Sequence, residues 1–301
     1  MPPPPGFAGF IGGVKGEARR AGIRDVTLER AFAGVRYNPK VIELDQHQPE
    51  FTLTWEQYRS RIVSDTRIAQ GRQMYAQNRR LLAAVFERYR VSPGVIMGIW
   101  GLESNYGQSS GGFNVVEALA TLSFEGRRAA FFRSELMDAL KILEHGDIAP
   151  GQMVGSYAGA MGQPQFMPDS FLKFAADFNG NGRRDIWNDP ADIFASVANY
   201  LAKSGWIDPL PWGVPARLPA SFDTSQAGRE NRRPLAEWSR LGVQPYGAPI
   251  PPETSTAILL PGGPGGEAFI TCHSNFQAIR RYNPSDFYCI SVGLIGDQVT
   301  A

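Results

Sequence analysis

Residues 95–107 read VIMGIWGLESNYG, a strongly apolar run that contains a single carboxylate, Glu103. If this stretch is helical, Ile96, Ile99 and Glu103 fall at positions i, i+3 and i+7, on one face of the helix. Because apolar surroundings disfavour the charged form of a carboxyl group, we expect the pKa of Glu103 to be raised. Such a carboxyl group can protonate a glycosidic oxygen near neutral pH. The alternative is a buried glutamate that pairs with an arginine and has only a structural role.

The sequence on both sides of this stretch predicts a largely helical body. Ser92 as N-cap, Pro93 at the first helical position and Gly107 as a stop define the helix that carries Glu103. Apolar and aromatic residues recur at helical spacing in residues 54–69 and 73–89. Further helices are predicted for residues 114–122, 127–144 and 189–204.

The composition of the sequence changes after Gly205. Nine prolines between positions 209 and 252 interrupt any long helix. Short apolar runs predict strands at residues 256–260, 268–271 and 287–292. We therefore divide the chain into an N-terminal helical region, a core with Glu103, and a proline-rich, β-containing C-terminal region; these regions are residues 1–92, 93–205 and 206–301.

Composition excludes several classes of protein. The 301 residues carry 30 Lys plus Arg and 29 Asp plus Glu, a net charge of +1, so we expect no nucleic-acid partner. A hydrophobic fraction of 43% excludes disorder of the whole chain. No apolar run is long enough to predict a transmembrane segment. The start, MPPPPG, has neither the features of a signal peptide nor a nearby cysteine for a lipid anchor.

Residues 155–168, GSYAGAMGQPQFMP, form a second informative stretch. Small residues let a ligand approach the backbone, and Ser156 and Gln165 offer donors and acceptors to a polar ligand. Tyr157 and Phe166 could supply stacking surfaces. The alternative is a glycine-rich turn that binds nothing.

Four stretches in this order resemble the lytic murein transglycosylases of the membrane-bound B type. They are ESNYG at 103–107, EALATLSFEGRRAAFF at 117–132, GSYAGAMGQPQFMP at 155–168 and SVANYL at 196–201. The similarity runs from about residue 20 to the C-terminus, with departures at Asn105 and Pro164. The resemblance implies a mainly α fold in which residues 93–205 form a lysozyme-like (α+β) catalytic core. It also implies a periplasmic location.

The resemblance further implies cleavage of the β-1,4 bond between N-acetylmuramic acid and N-acetylglucosamine in peptidoglycan, with formation of 1,6-anhydromuramic acid ends. Glu103 would be the sole catalytic carboxylate, first an acid and then a base, because the C6 hydroxyl of muramic acid attacks its own C1. A conventional glycosidase needs a second carboxylate. The sequence cannot place Glu117 or Glu125 relative to Glu103. A hydrolytic muramidase and a non-catalytic peptidoglycan-binding protein therefore remain alternatives.

We expect a monomeric enzyme whose partners are peptidoglycan glycan strands and muropeptides. The same resemblance implies a set of residues that contact them. The Arg127 and Arg128 pair also makes chemical sense unaided, since lactyl groups and stem peptides carry carboxylates, although a solvated charged turn is the alternative. The implied substrate-binding residues are Tyr58, Arg127, Arg128, Ser156, Gln165, Phe166, Tyr200, Tyr282 and Asn283.

Residues 177–188, DFNGNGRRDIWN, match a calcium-binding EF-hand loop at most positions. Asn188 stands at position 12 in place of the usual glutamate, and the resemblance implies that Asp192 closes the loop instead. We expect no organic cofactor and a weak structural calcium site, with an Asx-rich turn as the alternative. The candidate ligands are Asp177, Asn179, Asn181, the carbonyl of Arg183, Asp185 and Asp192.

The chain has two cysteines, Cys272 and Cys289. They flank an apparent hairpin between the runs FITC and FYCISV, so antiparallel pairing could place the thiols on neighbouring strands. An oxidising periplasm would then permit a disulfide. A shift of one residue in register would send the thiols to opposite faces, so two free thiols are the alternative.

Overall fold

A computed structural model of the chain describes residues 4–47 and 53–301. Within these ranges the helices are α1 (Phe7–Arg20), α2 (Asp25–Phe32), α3 (Pro39–Gln46), α4 (Trp55–Ile62), α5 (Asp65–Tyr89), α6 (Pro93–Ser104), α7 (Val115–Glu125), α8 (Ala129–His145), α9 (Pro168–Phe174), α10 (Pro190–Lys203), α11 (Leu235–Arg240), α12 (His273–Tyr282) and α13 (Asp286–Thr300). The strands are β1 (Phe113–Asn114), β2 (Val154–Gly155), β3 (Gly213–Arg217), β4 (Arg233–Pro234), β5 (Gln244–Pro245), β6 (Ser255–Leu259) and β7 (Ala268–Cys272).

The fold is mainly α with a smaller β region, as the sequence predicts. Helices α6, α7, α8 and α10 lie where local signals place them. The predicted helix at 54–69 is in fact two helices, because the Ser64 side chain accepts a hydrogen bond from the N–H of Arg67 and starts α5 afresh. None of the helices in the described ranges combines the length and hydropathy needed to cross a membrane.

The strand predicted at residues 287–292 is wrong, because these residues lie inside α13. Ser285 caps this helix by accepting a hydrogen bond from the N–H of Tyr288, and a continuous apolar run then buries most of its surface. Such a run carries no period that separates a buried strand from a buried helix. The expected hairpin is therefore absent. Cys272 ends β7, Cys289 lies within α13, and both are buried free thiols.

The chain packs into two compact units, each made from two separated segments. Their described parts are residues 4–47 with 103–197, and residues 53–102 with 198–301. In the first unit α7 packs against α8, and β1 pairs antiparallel with β2. The second unit contains an antiparallel sheet in the order β4-β6-β7-β3-β5, beside α4, α5, α12 and α13. The division of the chain at 92 and 205 stays a prediction.

Helix α6 makes an unusually close contact with α13 inside the second unit. Every residue from 95 to 100 is buried, so this part of α6 has no solvent-facing side. A Cβ added at Gly98 would lie 2.2 Å from the carbonyl oxygen of Val292, and one added at Gly296 would lie 2.3 Å from that of Gly94. Glycine is therefore required for the two backbones to approach this closely.

We predict that Gly98→Ala destabilises the protein by about 1–3 kcal/mol, because the new methyl group overlaps Val292 in a packed interior. The matched control is Gly12→Ala on α1, where a Cβ meets nothing within 4 Å. There, helix propensity predicts stabilisation by about 0.5–1 kcal/mol. Urea unfolding followed by circular dichroism measures both. Equal changes in the free energy of unfolding for the two substitutions would show that α6 and α13 can move apart without loss of stability.

Candidate active site

Glu103 lies in the last turn of α6 and is half-buried. The chain then leaves the helix through three consecutive residues in the left-handed region, with φ of 49° at Asn105, 57° at Tyr106 and 85° at Gly107. The Ser104 hydroxyl accepts a hydrogen bond of 3.0 Å from the N–H of Gly107 and closes this turn. Residues other than glycine adopt this conformation at a cost, and such strain is concentrated at functional sites.

Gln163, from the stretch 155–168, lies against the turn that follows Glu103. Its carboxamide fills the space beside Gly107, where a Cβ would lie only 2.5 Å from the Gln163 oxygen. The amide nitrogen donates a hydrogen bond of 2.9 Å to the carbonyl of Trp187. The absence of a side chain at Gly107 is therefore a condition for this packing.

Gln165 makes a second link to the same loop. Its amide nitrogen donates hydrogen bonds of 2.9 Å to the carbonyl of Ser110 and 2.8 Å to that of Gly162. Gln165 itself has a φ of 55°, so the strained backbone on this side matches that beside Glu103. Residues 103–107 and the stretch 155–168 thus lie together in the first unit, where glutamine side chains contact the loop that follows Glu103.

The small residues of this stretch serve the protein's own packing. A Cβ at Gly155 would lie 2.1 Å from the carbonyl oxygen of Ala160, and one at Gly159 would lie 2.5 Å from the side chain of Leu119. These glycines let one piece of backbone approach another. The sequence predicts that a ligand approaches the backbone at small residues in this stretch, but at Gly155 and Gly159 protein atoms occupy that space.

Two residues assigned to substrate binding from sequence have structural contacts in this stretch. The Ser156 hydroxyl accepts hydrogen bonds from the N–H groups of Ala158 (3.2 Å) and Ala160 (3.1 Å), which fixes the local turn. Phe166 is 2% exposed, so its ring faces the protein interior. Tyr157 is half-buried.

The two predicted arginines differ in their surroundings. Arg127 donates a hydrogen bond of 2.6 Å to the carbonyl of Asp45, and its Nε lies 3.5 Å from the Asp45 carboxylate. Asp45 is buried, whereas the Arg127 side chain is 66% exposed. The Arg128 guanidinium lies over the rings of Phe131 and Phe132. Asp45 was missed from sequence because no local pattern connects it to a residue so far along the chain.

The remaining predicted substrate residues belong to the second unit. Tyr200 and Tyr282 place their ring centroids 4.7 Å apart, and the Tyr200 hydroxyl donates a hydrogen bond of 2.6 Å to the carbonyl of Arg281. Burial raises the pKa of Tyr200, and the charge of Arg281 partly offsets this. Asn283 follows directly at the C-cap of α12. Tyr58 lies on α4, apart from this group in sequence.

The two acidic residues that the sequence left unplaced are engaged elsewhere in the first unit. The Glu117 carboxylate accepts hydrogen bonds from the N–H of Arg36 (3.1 Å) and the side-chain amide of Asn38 (3.0 Å). Glu125 accepts a hydrogen bond from the hydroxyl of Tyr37. Both carboxylates therefore hold the segment before α3. Burial, with the hydrogen bond to Glu125 and its negative charge, raises the pKa of Tyr37 to about 12.

The loop at 177–188 is closed by hydrogen bonds to the Asp177 side chain. The Asp177 carboxylate accepts from the N–H groups of Gly180, Asn181 and Gly182, at 2.8, 3.1 and 2.8 Å. No group of three or more His, Cys, Asp or Glu in the described ranges is arranged as a metal site. The oxygen-rich donor set nevertheless suits calcium, which takes carboxylate, amide and carbonyl oxygens.

Asp192, in the first turn of α10, joins the two ends of this loop. Its carboxylate accepts hydrogen bonds of 2.8 Å from the N–H groups of Phe178 and Asp185, and the residue is fully buried. Burial raises the pKa of Asp192 to about 6, and the nearby carboxylates of Asp189 and Asp177 contribute in the same direction. A bound cation would relieve this desolvation and repulsion, so the residues present fit calcium.

Comparison with known proteins gives a consistent result. The family description "Transglycosylase SLT domain" matches residues 6–297. The membrane-bound lytic murein transglycosylase B of Escherichia coli strain K12 is 32% identical over 251 residues, which are 81% of this chain and 67% of that protein.

Solved structures agree. SltB3 from Pseudomonas aeruginosa, in complex with NAG-anhNAM-pentapeptide, has a TM-score of 0.93 and 45% identity, and the match covers 98% of this chain and 80% of that one. The Escherichia coli lytic transglycosylase Slt35, in complex with calcium, has a TM-score of 0.81 and 30% identity, covering 100% and 95% of the two chains. These similarities confirm the predicted fold class. The chain therefore belongs to the transglycosylase SLT domain family and is a lytic transglycosylase of the type that these relatives represent.

Proposed function

We propose that Glu103 is the catalytic carboxylate with which this enzyme cleaves the β-1,4 bond between N-acetylmuramic acid and N-acetylglucosamine. The observation that carries the proposal is the turn after α6, where a half-buried carboxylate is followed by three left-handed residues, the last of which, Gly107, packs against Gln163. Strain of this kind persists only where the surrounding structure over-determines it, and it fixes a reacting group in position.

The proposed reaction uses Glu103 twice. Its carboxyl group first gives a proton to the glycosidic oxygen, and the bond from that oxygen to C1 of muramic acid breaks. The C6 hydroxyl of the same sugar then attacks C1, and the Glu103 carboxylate takes up the hydroxyl proton. The product is a 1,6-anhydro end. The engagement of Glu117 and Glu125 in holding other segments supports a route that uses one carboxylate. Intramolecular attack is favoured by a large effective molarity.

We predict that Glu103→Gln lowers the turnover rate by about 10²–10⁴-fold, because the amide keeps the shape of the side chain but has no acidic proton to transfer. Binding of glycan fragments should be retained. The matched control is Glu125→Gln, which should keep turnover within a few fold. Mass spectrometry of digested sacculi measures both rate and product. Reducing ends in place of anhydro ends would contradict the mechanism, as would equal losses in the two variants.

We further propose that the residues that contact substrate are Arg127, Arg128, Ser156 and Gln165 in the first unit, and Tyr58, Tyr200, Tyr282 and Asn283 in the second. Phe166, whose ring faces the interior, would support the first of these surfaces from behind. For Arg127 the support is its exposed guanidinium, which the buried Asp45 orients from one side. A guanidinium held in this way can bind a carboxylate at its remaining donors.

Arg127→Ala should therefore lower kcat/KM about tenfold on muropeptides with free carboxyl groups, chiefly through KM. It should have a much smaller effect when those carboxyl groups are amidated. Arg24→Ala, which removes an exposed ion pair with Glu144, is the control and should leave both substrates unaffected. Steady-state kinetics on the two substrates distinguishes the outcomes. An equal loss on both would mean that Arg127 acts only through Asp45 in the structure.

We also propose a structural calcium ion in the loop at 177–188. The residues that would hold it are Asp177, Asn179, Asn181, Asp185, Asp192 and the carbonyl of Arg183. Calcium would neutralise the clustered carboxylates and would take no part in the chemical step. The support is the donor set and the raised pKa of the buried Asp192, together with the calcium complex of the related Slt35.

With about 10 mM calcium and a Kd of about 10⁻⁴–10⁻³ M, we expect stabilisation by about 1.4–2.7 kcal/mol. Asp177→Ala should remove this response, whereas Asp25→Ala, at an exposed position on α2, should keep it. Thermal melting with calcium and with chelator is the measurement. Identical melting curves of the unmodified protein in the two conditions would show that the loop is only a turn.

We propose a periplasmic location from the class of substrate. The free cysteines are compatible with an oxidising compartment, because burial raises the pKa of Cys272 to about 12 and raises that of Cys289 as well. The thiolate is the reactive form, so both thiols are protected from oxidation.

A further inference from the structure

A cavity of about 390 Å³ lies within the second unit, where the loop at 206–212 faces α5, the first turn of α6 and the last turns of α13. Its volume falls in the range of small-molecule sites. Gly94 lines it from α6, nine residues before Glu103, which corresponds to about 13 Å along the helix axis. The residues that give it its chemistry are Tyr75, Trp206, Asp208, Trp212, Asp297 and Thr300. We call it the Trp212 pocket.

One wall of the Trp212 pocket is held by a single buried side chain. The amide nitrogen of Asn275 donates hydrogen bonds to the carbonyls of Ile207 (3.0 Å), Leu210 (2.6 Å) and Pro211 (3.3 Å). Its amide oxygen accepts one of 2.7 Å from the N–H of Ile207. Asn275 is fully buried, so these bonds are shielded from water. The loop is therefore fixed before any ligand arrives.

Trp212 is fixed equally firmly. A Cβ at Gly293 would lie 2.1 Å from its ring, so the indole packs directly against the α13 backbone. The indole N–H donates a hydrogen bond of 3.0 Å to the Asp297 carboxylate. A pocket with walls held in this way loses little conformational entropy when a ligand binds.

The charged side chains that line the pocket are all acidic. Among its described lining residues there are two carboxylates, Asp208 and Asp297, and neither Lys nor Arg. Asp208 pairs with Arg90 at 2.6 Å. Asp297 stays accessible to solvent, but loss of hydration in the concave surroundings raises the pKa of its carboxyl group, and the N–H of Trp212 offsets this only in part. A cation beside Asp297 would stabilise the ionised carboxylate in place of the lost hydration.

We propose that the Trp212 pocket binds a primary ammonium group carried on an unbranched aliphatic chain. The ammonium would pair with the Asp297 carboxylate, and the faces of the aromatic residues would attract it through their quadrupoles. The prolines and aromatic rings of the wall, with Pro209 and Pro211 among them, would contact the aliphatic chain. The site is separate from Glu103 and needs no part of the glycan chemistry.

The test is a titration of the isotopically labelled full chain with 1,5-diaminopentane, followed through the indole N–H resonance of Trp212. 1,5-Pentanediol is the neutral probe of the same length. We expect saturable shifts with the diamine only. Asp297→Asn keeps an acceptor for the indole and removes the charge, so affinity should fall at least tenfold while lytic activity is unchanged. Asp25→Asn, on the exposed surface of α2, should bind as the unmodified protein does.

Tyr75→Leu gives a second readout, because it removes an aromatic face without touching the carboxylate, and should weaken binding about threefold or more. A derivative of lysine with both backbone ends blocked distinguishes the sources: tighter binding than the diamine indicates a peptide side chain, and weaker binding a free amine. Equal shifts with the diol, full affinity in Asp297→Asn, or saturable binding of N-acetylglucosamine in place of the amine would each overturn the proposal.

Discussion

The close contact between α6 and α13 constrains the rest of the structure. A helix whose middle residues are all buried can carry a carboxylate only near an end, and Glu103 occupies the last turn. Gly98 against the carbonyl of Val292 sets how deeply α6 lies and removes the freedom to rotate about its axis. The placement of α6 within the second unit therefore follows from backbone packing at residues that take no part in chemistry.

The acidic residues of the first unit divide into distinct roles through their neighbours. Glu117 and Glu125 have donors from the segment before α3, and Asp177 and Asp192 have the N–H groups of their own loop. A carboxylate held by such hydrogen bonds is occupied in fixing nearby backbone and is poorly placed to attack a sugar. The structure thus supports a one-carboxylate reaction by committing the other candidates elsewhere.

Local signals predicted much of this fold, and long-range contacts account for the misses. Ser92 with Pro93 correctly predicted the start of α6, since capping involves only neighbouring residues. The apolar run at 287–292 was misassigned because burial on all sides erases the period that identifies an element. The role of Asp45 depends on a contact with Arg127 across 82 positions, which no local pattern can reveal. For the candidate site, the sequence predicted the two stretches that meet beside Glu103. The glutamine contacts that join these stretches could be found only in the three-dimensional structure.

The division of each unit into two chain segments has a consequence for synthesis on the ribosome. Val292 leaves the exit tunnel about 190 residues after Gly98, which is a delay of about 10–40 s at typical elongation rates. During that interval the apolar surface of α6 has no α13 to cover it. The buried middle of α6 should therefore acquire its native surroundings only after α13 has been made.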